Sequence, residues 1–207
     1  MKRQMAAFML PLSRIIATFA AALLLPQVVA CEESSRGGNP PQTVPTPTDR
    51  ITLPPQRREF VAPSGRYVFV VSTRDNWKSP HGTGELFSVA ESGRALLWTR
   101  ELPQELGPRF VLVNDVGTVL VLDQWINVST KYAVLILDRD NRIVAQHSTE
   151  DVRAALQVPM NEVTRMAKHG WWISAPPTLT PAGDSGRVEA AGKLLTIRLS
   201  DGHLSIS

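Results

Sequence analysis

Cysteine is nearly absent from this sequence: Cys31 is the only one among 207 residues. A single thiol cannot form an internal disulfide, and it cannot build a zinc site of several thiolates. The four histidines are scattered, without the His-x-x-His or His-x-x-x-His spacing of zinc ligands. No cofactor motif stands out either, so we predict neither a metal site nor a cofactor.

Acidic residues are missing from the start of the chain, where Glu32 is the first. Lys2 and Arg3 stand near the beginning, and an apolar run follows from Ile15 to Leu25. This order is typical of a secretory signal, and the run is short for a membrane-spanning helix. We predict a signal peptide over residues 1–30 that is removed on export.

An excess of charge of one sign is also absent once this segment is removed. The whole chain has 22 basic and 19 acidic side chains, and Lys2, Arg3 and Arg14 leave with the signal, so the mature chain would carry 19 of each. Nucleic-acid binding relies on a positive surface that attracts phosphates. We therefore predict no nucleic-acid partner.

The end of the signal, Val28-Val29-Ala30-Cys31, resembles the bacterial lipobox, which more often has Leu at the first position. The resemblance implies a lipoprotein of the bacterial cell envelope. Its first mature residue, Cys31, would carry a diacylglycerol thioether and a fatty acyl chain such as palmitate. Glu32 stands where retention-type lipoproteins tend to have Asp, which favours the outer membrane in a cell that has one. The alternative is an ordinary cleaved signal with an incidental cysteine.

Proline is concentrated in the segment after Cys31. Six prolines lie between residues 32 and 56, with almost no apolar side chains around them. This composition predicts an extended, solvated linker. We therefore predict a tether over residues 31–57 and a folded domain over residues 58–207, on the extracytoplasmic side, long enough for a core of its own.

Short β-branched runs bounded by Gly, Asn, Asp or Ser fill most of residues 58–207. Short strands with frequent turns predict an antiparallel all-β domain. One helical insertion opens at Ser148–Asp151, where Ser148 or Thr149 can be the N-cap, and a second short piece runs from Asn161 to Lys168. The predicted strands are Tyr67–Ser72, Glu85–Ala90, Ala95–Thr99, Phe110–Asn114, Val119–Asp123, Tyr132–Leu137, Ile143–His147, Trp171–Ser174, Leu194–Leu199 and Leu204–Ile206.

Two stretches, Ala62–Phe69 and Asn114–Val121, repeat the order of a turn followed by an alternating strand. In the first, Pro63-Ser64-Gly65-Arg66-Tyr67-Val68 resembles the Ser-Pro-Asp-Gly-Arg-Tyr turn of bacterial β-propeller blades, with Ser64 in place of Asp. The similarity to secreted bacterial proteins with propeller-like repeats covers about residues 60–147. It implies an all-β, antiparallel fold of incomplete β-propeller-like repeats, or a twisted β-sandwich, with one short helical insertion. A homodimer could complete such an open arrangement.

Tryptophans are the best candidate binding residues. Trp77 and Trp125 follow corresponding strands of the two repeats and could line one edge of the domain. Trp171 and Trp172 are adjacent, so a strand would point them to opposite faces. Exposed aromatic edges bind sugar rings or partner proteins, whereas buried ones pack the contacts between repeats, as we expect for Trp98.

No catalytic set of residues stands out, and we predict that the protein is not an enzyme. Gly183-Asp184-Ser185-Gly186 is similar to the nucleophile loop of serine proteases, but Arg187 replaces the usual next glycine and no histidine lies in the matching context. We predict a non-catalytic lipoprotein that is held by its lipid on a membrane and binds an envelope protein. One alternative is a glycan or peptidoglycan binder that uses the tryptophans. The least favoured is a hydrolase that uses Ser185.

Overall fold

The computed structural model of the protein describes residues 52–206. In that part of the chain, no helix is long and apolar enough to cross a membrane. The elements are β1 (Arg57–Val61), β2 (Tyr67–Ser72), β3 (His81–Ala90), β4 (Gly93–Glu105), β5 (Pro108–Val113), β6 (Val119–Gln124), β7 (Val134–Leu137), β8 (Ile143–His147), α1 (Thr149–Leu156), α2 (Met160–Met166), β9 (Thr178–Leu179), β10 (Ser185–Ala190), β11 (Lys193–Arg198) and β12 (Leu204–Ile206).

Each group of four consecutive strands forms one antiparallel sheet in which every strand pairs with its neighbours in sequence. Sheet 1 contains β1–β4, sheet 2 contains β5–β8 and sheet 3 contains β9–β12, and the two helices lie between sheets 2 and 3 in the chain. The prediction of an all-β, antiparallel fold with a short helical insertion is confirmed. The structure adds a complete third repeat, where the sequence indicated only a C-terminal hairpin.

The central strands of sheet 2, β6 and β7, are buried on both faces. Every residue of β6 and β7 is buried. Alternate side chains of a strand point to opposite faces, so Val121 packs into the core shared with sheet 1, and Leu120 packs into the core shared with sheet 3 and α1. Sheet 2 is therefore the central layer on which the other elements pack.

In each sheet, a turn joins the first strand to the second, and hydrogen bonds connect the three turns to one another. The backbone N–H of Ser64 donates to Asp115 Oδ1 at 2.7 Å, and Arg66 donates to the Asp115 carbonyl at 3.0 Å. Asn114 Nδ2 donates to the carbonyl of Gly183 at 3.0 Å. The segment around Gly183, similar in sequence to a protease loop, is thus the first turn of the third repeat.

The insertion begins with the predicted cap. Ser148 is the N-cap of α1, where its hydroxyl accepts from the Asp151 backbone N–H at 3.2 Å. Asp151 Oδ2 accepts the Ser148 backbone N–H at 2.8 Å, which completes a capping box. Val152 and Leu156 lie one helical turn apart and are fully buried, so α1 packs into the core that sheet 2 shares with sheet 3.

The predicted strand Trp171–Ser174 is wrong, and the segment forms a turn. The backbone N–H groups of Lys168 and His169 both donate to the carbonyl of Ile173 at 2.9 Å, which closes a loop. Gly170 supports that loop with a φ of 83°. Conversely, β1, β9 and β10 were not predicted. Pro54, which belongs to the predicted tether, is buried.

Because sheet 2 supports both cores, truncation of one of its central side chains should destabilise the whole domain. Ile136 is 0% exposed and Ile143, on β8 of the same sheet, is 51% exposed. We expect Ile136→Ala to lower the free energy of unfolding by about 2–5 kcal/mol. Ile143→Ala should cost less than about 1 kcal/mol. Urea unfolding of both variants checks this, and equal losses would contradict a core contribution of Ile136.

Candidate functional site

Two of the predicted tryptophans hold the same piece of chain. Trp77 Nε1 donates to the carbonyl of Pro54 at 2.9 Å, and Trp125 Nε1 donates to the carbonyl of Thr52 at 2.6 Å. Trp77 lies between β2 and β3, and Trp125 lies between β6 and β7, so both occupy the corresponding loop of their repeats. We call these two indoles the tryptophan clasp. The structure thus places both indoles against residues 52–54.

Trp77 is fixed by its own surroundings. Its backbone N–H donates to Thr73 Oγ1 at 3.2 Å, and both Asn76 and Trp77 adopt a left-handed conformation, with φ of 57° and 63°. A Cβ at Gly82 or Gly107 would lie 2.9 or 2.8 Å from the indole ring, so only glycine fits at these positions. A bulky residue at positive φ is costly and persists where its surroundings enforce it.

Two arginines lie on Trp125. The guanidinium carbons of Arg58 and Arg109 are 5.2 and 4.6 Å from its ring centroid, within the range of cation–π contacts. Arg58 donates to the carbonyl of Pro108 at 2.5 Å, and Arg109 donates to the carbonyl of Trp125 and to Asn127 Oδ1. Burial, and then the charge of Arg109, lower the pKa of Arg58 to about 10.

Within residues 52–206, these arginines have no carboxylate in direct contact. Neither Arg58 nor Arg109 belongs to an ion pair within residues 52–206. Their Nε atoms are buried and find no hydrogen-bond partner there. The edge around Trp125 therefore carries positive charge that neighbouring side chains do not fully neutralise.

Asp123 lies behind this edge and is fully buried. It accepts the backbone N–H of Trp171 at 2.8 Å and that of Gln124 at 2.9 Å. Burial raises its pKa to about 6, against the lowering effect of these two amides and of the Arg109 charge. A Cβ at Gly170 would lie 2.3 Å from Asp123 Oδ2, so the carboxylate fits only because that residue is glycine.

The other predicted binding residues, Trp171 and Trp172, differ in burial and in position. Trp171 is partly buried and joins the clasp edge through Asp123, whereas Trp172 is 0% exposed and packs in the core with sheet 3. Trp77 is only 5% exposed, so neither it nor Trp172 offers a ring face to a sugar. Cys31 lies outside the described residues.

A groove of about 680 Å³ runs along the first strands of the three sheets. It is lined mainly by apolar side chains, among them Val61, Leu112 and Leu179, with Glu59 as a charged member. Val61 is 58% exposed. The strands β1, β5 and β9 are edge strands, so one side of each has no sheet partner in residues 52–206.

The proposed nucleophile, Ser185, sits in a hydrogen-bonded turn. Its backbone N–H donates to Thr180 Oγ1 at 3.3 Å, and the Thr180 hydroxyl donates to Asp184 Oδ1 at 2.8 Å. Within residues 52–206, no histidine forms a hydrogen bond with Ser185, and the hydrogen bond made there by a histidine side chain joins His147 to the carbonyl of Gly202 at 2.8 Å. No group of three or more His, Cys, Asp or Glu in this part of the chain could hold a metal ion.

Sequence reasoning missed Arg58, Arg109, Asp123 and the groove. The arginines and Asp123 come from different strands and meet only in the folded chain. A partial signal exists in β6, where Asp123 ends an otherwise apolar strand just before Trp125. A carboxylate at the end of a buried strand is costly unless a charge or hydrogen bond meets it.

No protein-family model matches the chain, and no curated protein matches it. Among solved structures, a europium-containing methanol dehydrogenase aligns with 69% of this chain and 23% of its own, at 11% identity and a TM-score of 0.35. The chain spans less than a quarter of the length of that enzyme. A likeness of this degree supports no conclusion about function.

The buried carboxyl of Asp123 should make stability depend on pH. Its pKa is about 6 in the folded protein and 3.8 without the fold, so the folded state binds more protons between these values. The contribution of Asp123 to the free energy of unfolding, roughly 3 kcal/mol, is therefore fully present below about pH 4 and is lost as the pH rises through about 6. Asp123→Asn removes this titration.

The measurement is urea unfolding of the parent and of Asp123→Asn between about pH 4 and pH 7.5. We expect the parent to lose stability relative to the variant across that range and the difference to level off above pH 7. A constant difference would show that Asp123 titrates normally. Asp140→Asn is the control, because that carboxylate is 64% exposed.

Proposed function

We propose that this chain is a lipid-anchored protein of the bacterial cell envelope and that its β domain binds a protein partner without catalysing a reaction. The anchor is inferred from the lipobox resemblance of Val28–Cys31, which precedes the described residues. Partner binding is inferred from the groove along β1, β5 and β9, which is the observation that carries this proposal.

The groove has the features that an extended polypeptide needs. Edge strands offer backbone donors and acceptors to an added strand, and adjacent apolar surface receives its alternate side chains. A volume of about 680 Å³ lies within the usual size of ligand pockets, about 300–1,000 Å³. Val61 exposes more than half of its surface at this groove, which favours a hydrophobic contact with a partner.

Lipidation can be tested directly. In the source bacterium, we expect the parent chain to incorporate labelled palmitate and to fractionate with membranes, and Cys31→Ser to lose both properties. Ser34→Ala, three residues away, is the control for a local sequence change. Membrane fractionation of Cys31→Ser together with an uncleaved signal would indicate a retained N-terminal span instead of a lipid.

Partner binding can be tested by placing a charge in the groove. Val61→Glu puts a carboxylate where an apolar contact is expected, and Val116→Glu does the same at a residue that is 64% exposed and does not line the groove. We expect Val61→Glu to lower capture of the envelope protein that crosslinks to the parent by at least about tenfold, and Val116→Glu to leave it unchanged.

The readout is quantitative mass spectrometry of crosslinked envelope extracts, with thermal unfolding of each variant as the folding control. Equal capture by the parent and Val61→Glu would remove the groove as the binding surface. Recovery of cell-wall glycan in place of protein would favour the glycan-binding alternative.

A further inference from the structure

The tryptophan clasp contacts only a few groups of the segment that it holds. It binds two backbone carbonyls, those of Thr52 and Pro54, and the ring of Pro54 is buried. Thr52 and Leu53 are exposed, Leu53 by 45%. The residues held lie outside any strand. Leu53 and Pro54 each precede a proline, which favours an extended backbone. Recognition therefore depends on that backbone and on one buried proline, as in other sites where aromatic residues bind proline-containing segments.

The contacts that position the two indoles come from outside the segment that they hold. Trp77 is positioned by Thr73, Gly82 and Gly107, as described above. The backbone N–H of Trp125 donates to the carbonyl of Gly107 at 2.9 Å, so one residue supports both indoles. None of these contacts involves residues 52–55. A site that is formed in advance loses little freedom when it binds a ligand.

The charge beside the clasp indicates a further property of a ligand. Arg58 and Arg109 lie on the Trp125 side, which holds the carbonyl of Thr52, two residues before the buried Pro54. Their charge is not matched by an ion pair in residues 52–206. We expect the charge of these two guanidinium groups to attract an acidic side chain at the exposed position of Thr52, whereas threonine offers them no charge.

We propose that the tryptophan clasp is a binding site for an extended, proline-containing segment of another protein, with an acidic residue two positions before the proline. Thr52–Pro54 occupies the site as an internal competitor that lacks the acidic residue. A partner segment displaces it by adding the contact with Arg58 and Arg109. This site lies at the starts of β1 and β5, and it is separate from the groove-lining residues named for partner binding.

The test uses the full-length chain in detergent, labelled with 5-fluorotryptophan, and three capped peptides titrated into it. Their sequences are Glu-Leu-Pro-Pro-Gln, Thr-Leu-Pro-Pro-Gln and Lys-Leu-Pro-Pro-Gln. We expect saturable shifts of the clasp resonances, with the glutamate peptide tightest and the lysine peptide weakest. The advantage of glutamate over threonine should shrink at high salt, because exposed charges are screened. Pro54→Gly weakens the internal competitor and should raise the affinity for the glutamate peptide about tenfold.

Conservative variants separate recognition from general damage. Trp125→Phe keeps an aromatic ring but removes the donor, so we expect at least about a tenfold loss of peptide affinity in the Pro54→Gly background. Trp98→Phe is the matched control, because the Trp98 Nε1 is buried without a hydrogen-bond partner in the described residues and does not hold Thr52 or Pro54. It should bind the peptides normally. Trp77→Phe removes the donor to the Pro54 carbonyl and should independently lower the peptide affinity.

Two results would overturn the proposal. One is the absence of saturable binding by the folded Pro54→Gly chain at millimolar peptide. The other is binding that neither Trp125→Phe nor Trp77→Phe weakens. Val61→Glu tests the groove separately and should leave peptide affinity unchanged, so a failure of the clasp and a failure of the groove give different patterns.

Discussion

The two-sided burial of sheet 2 is the constraint on which the rest of the structure depends. β6 and β7 have no exposed face, so sheet 1 must cover one side, and sheet 3 with α1 must cover the other. The clasp follows from the same arrangement, since its two loops belong to adjacent sheets that this packing brings side by side. The groove follows too, because the first strands of all three sheets line it.

Much of the fold could be predicted because its central strands have strong local signals. β2, β8 and β12 have the bounds that the sequence predicts, and Ser148 caps α1 as its spacing indicates. β1 was missed because its first three residues, Arg57–Glu59, are all charged, and β10 was missed because the charged residues Arg187 and Glu189 flank Val188. Trp171–Ser174 has the composition of a strand, but within residues 52–206 its backbone contact with a strand is a single hydrogen bond, from Ser174 to Glu189 of β10, and tertiary contacts decide its shape.

The candidate site was predicted in part, for a physical reason. The repeat pattern alone places Trp77 and Trp125 in corresponding loops, which was enough to pair them. It could not show that both hold the carbonyls of residues 52–54, because those contacts span 23 and 73 residues of sequence. Arg58 and Arg109 come together from separate sheets, so their joint charge is also a property of the folded chain.

The clasp has a mechanical consequence. If the chain is pulled from its N-terminal side, the force reaches the hydrogen bonds of Thr52 and Pro54 before it reaches β1, the edge strand that begins at Arg57. The hydrogen bonds of the two indoles would therefore break first and release a few residues of chain, while the pairing of β1 with β2 stays intact. A tethered domain with this layout has a sacrificial link that protects its outermost sheet from tension.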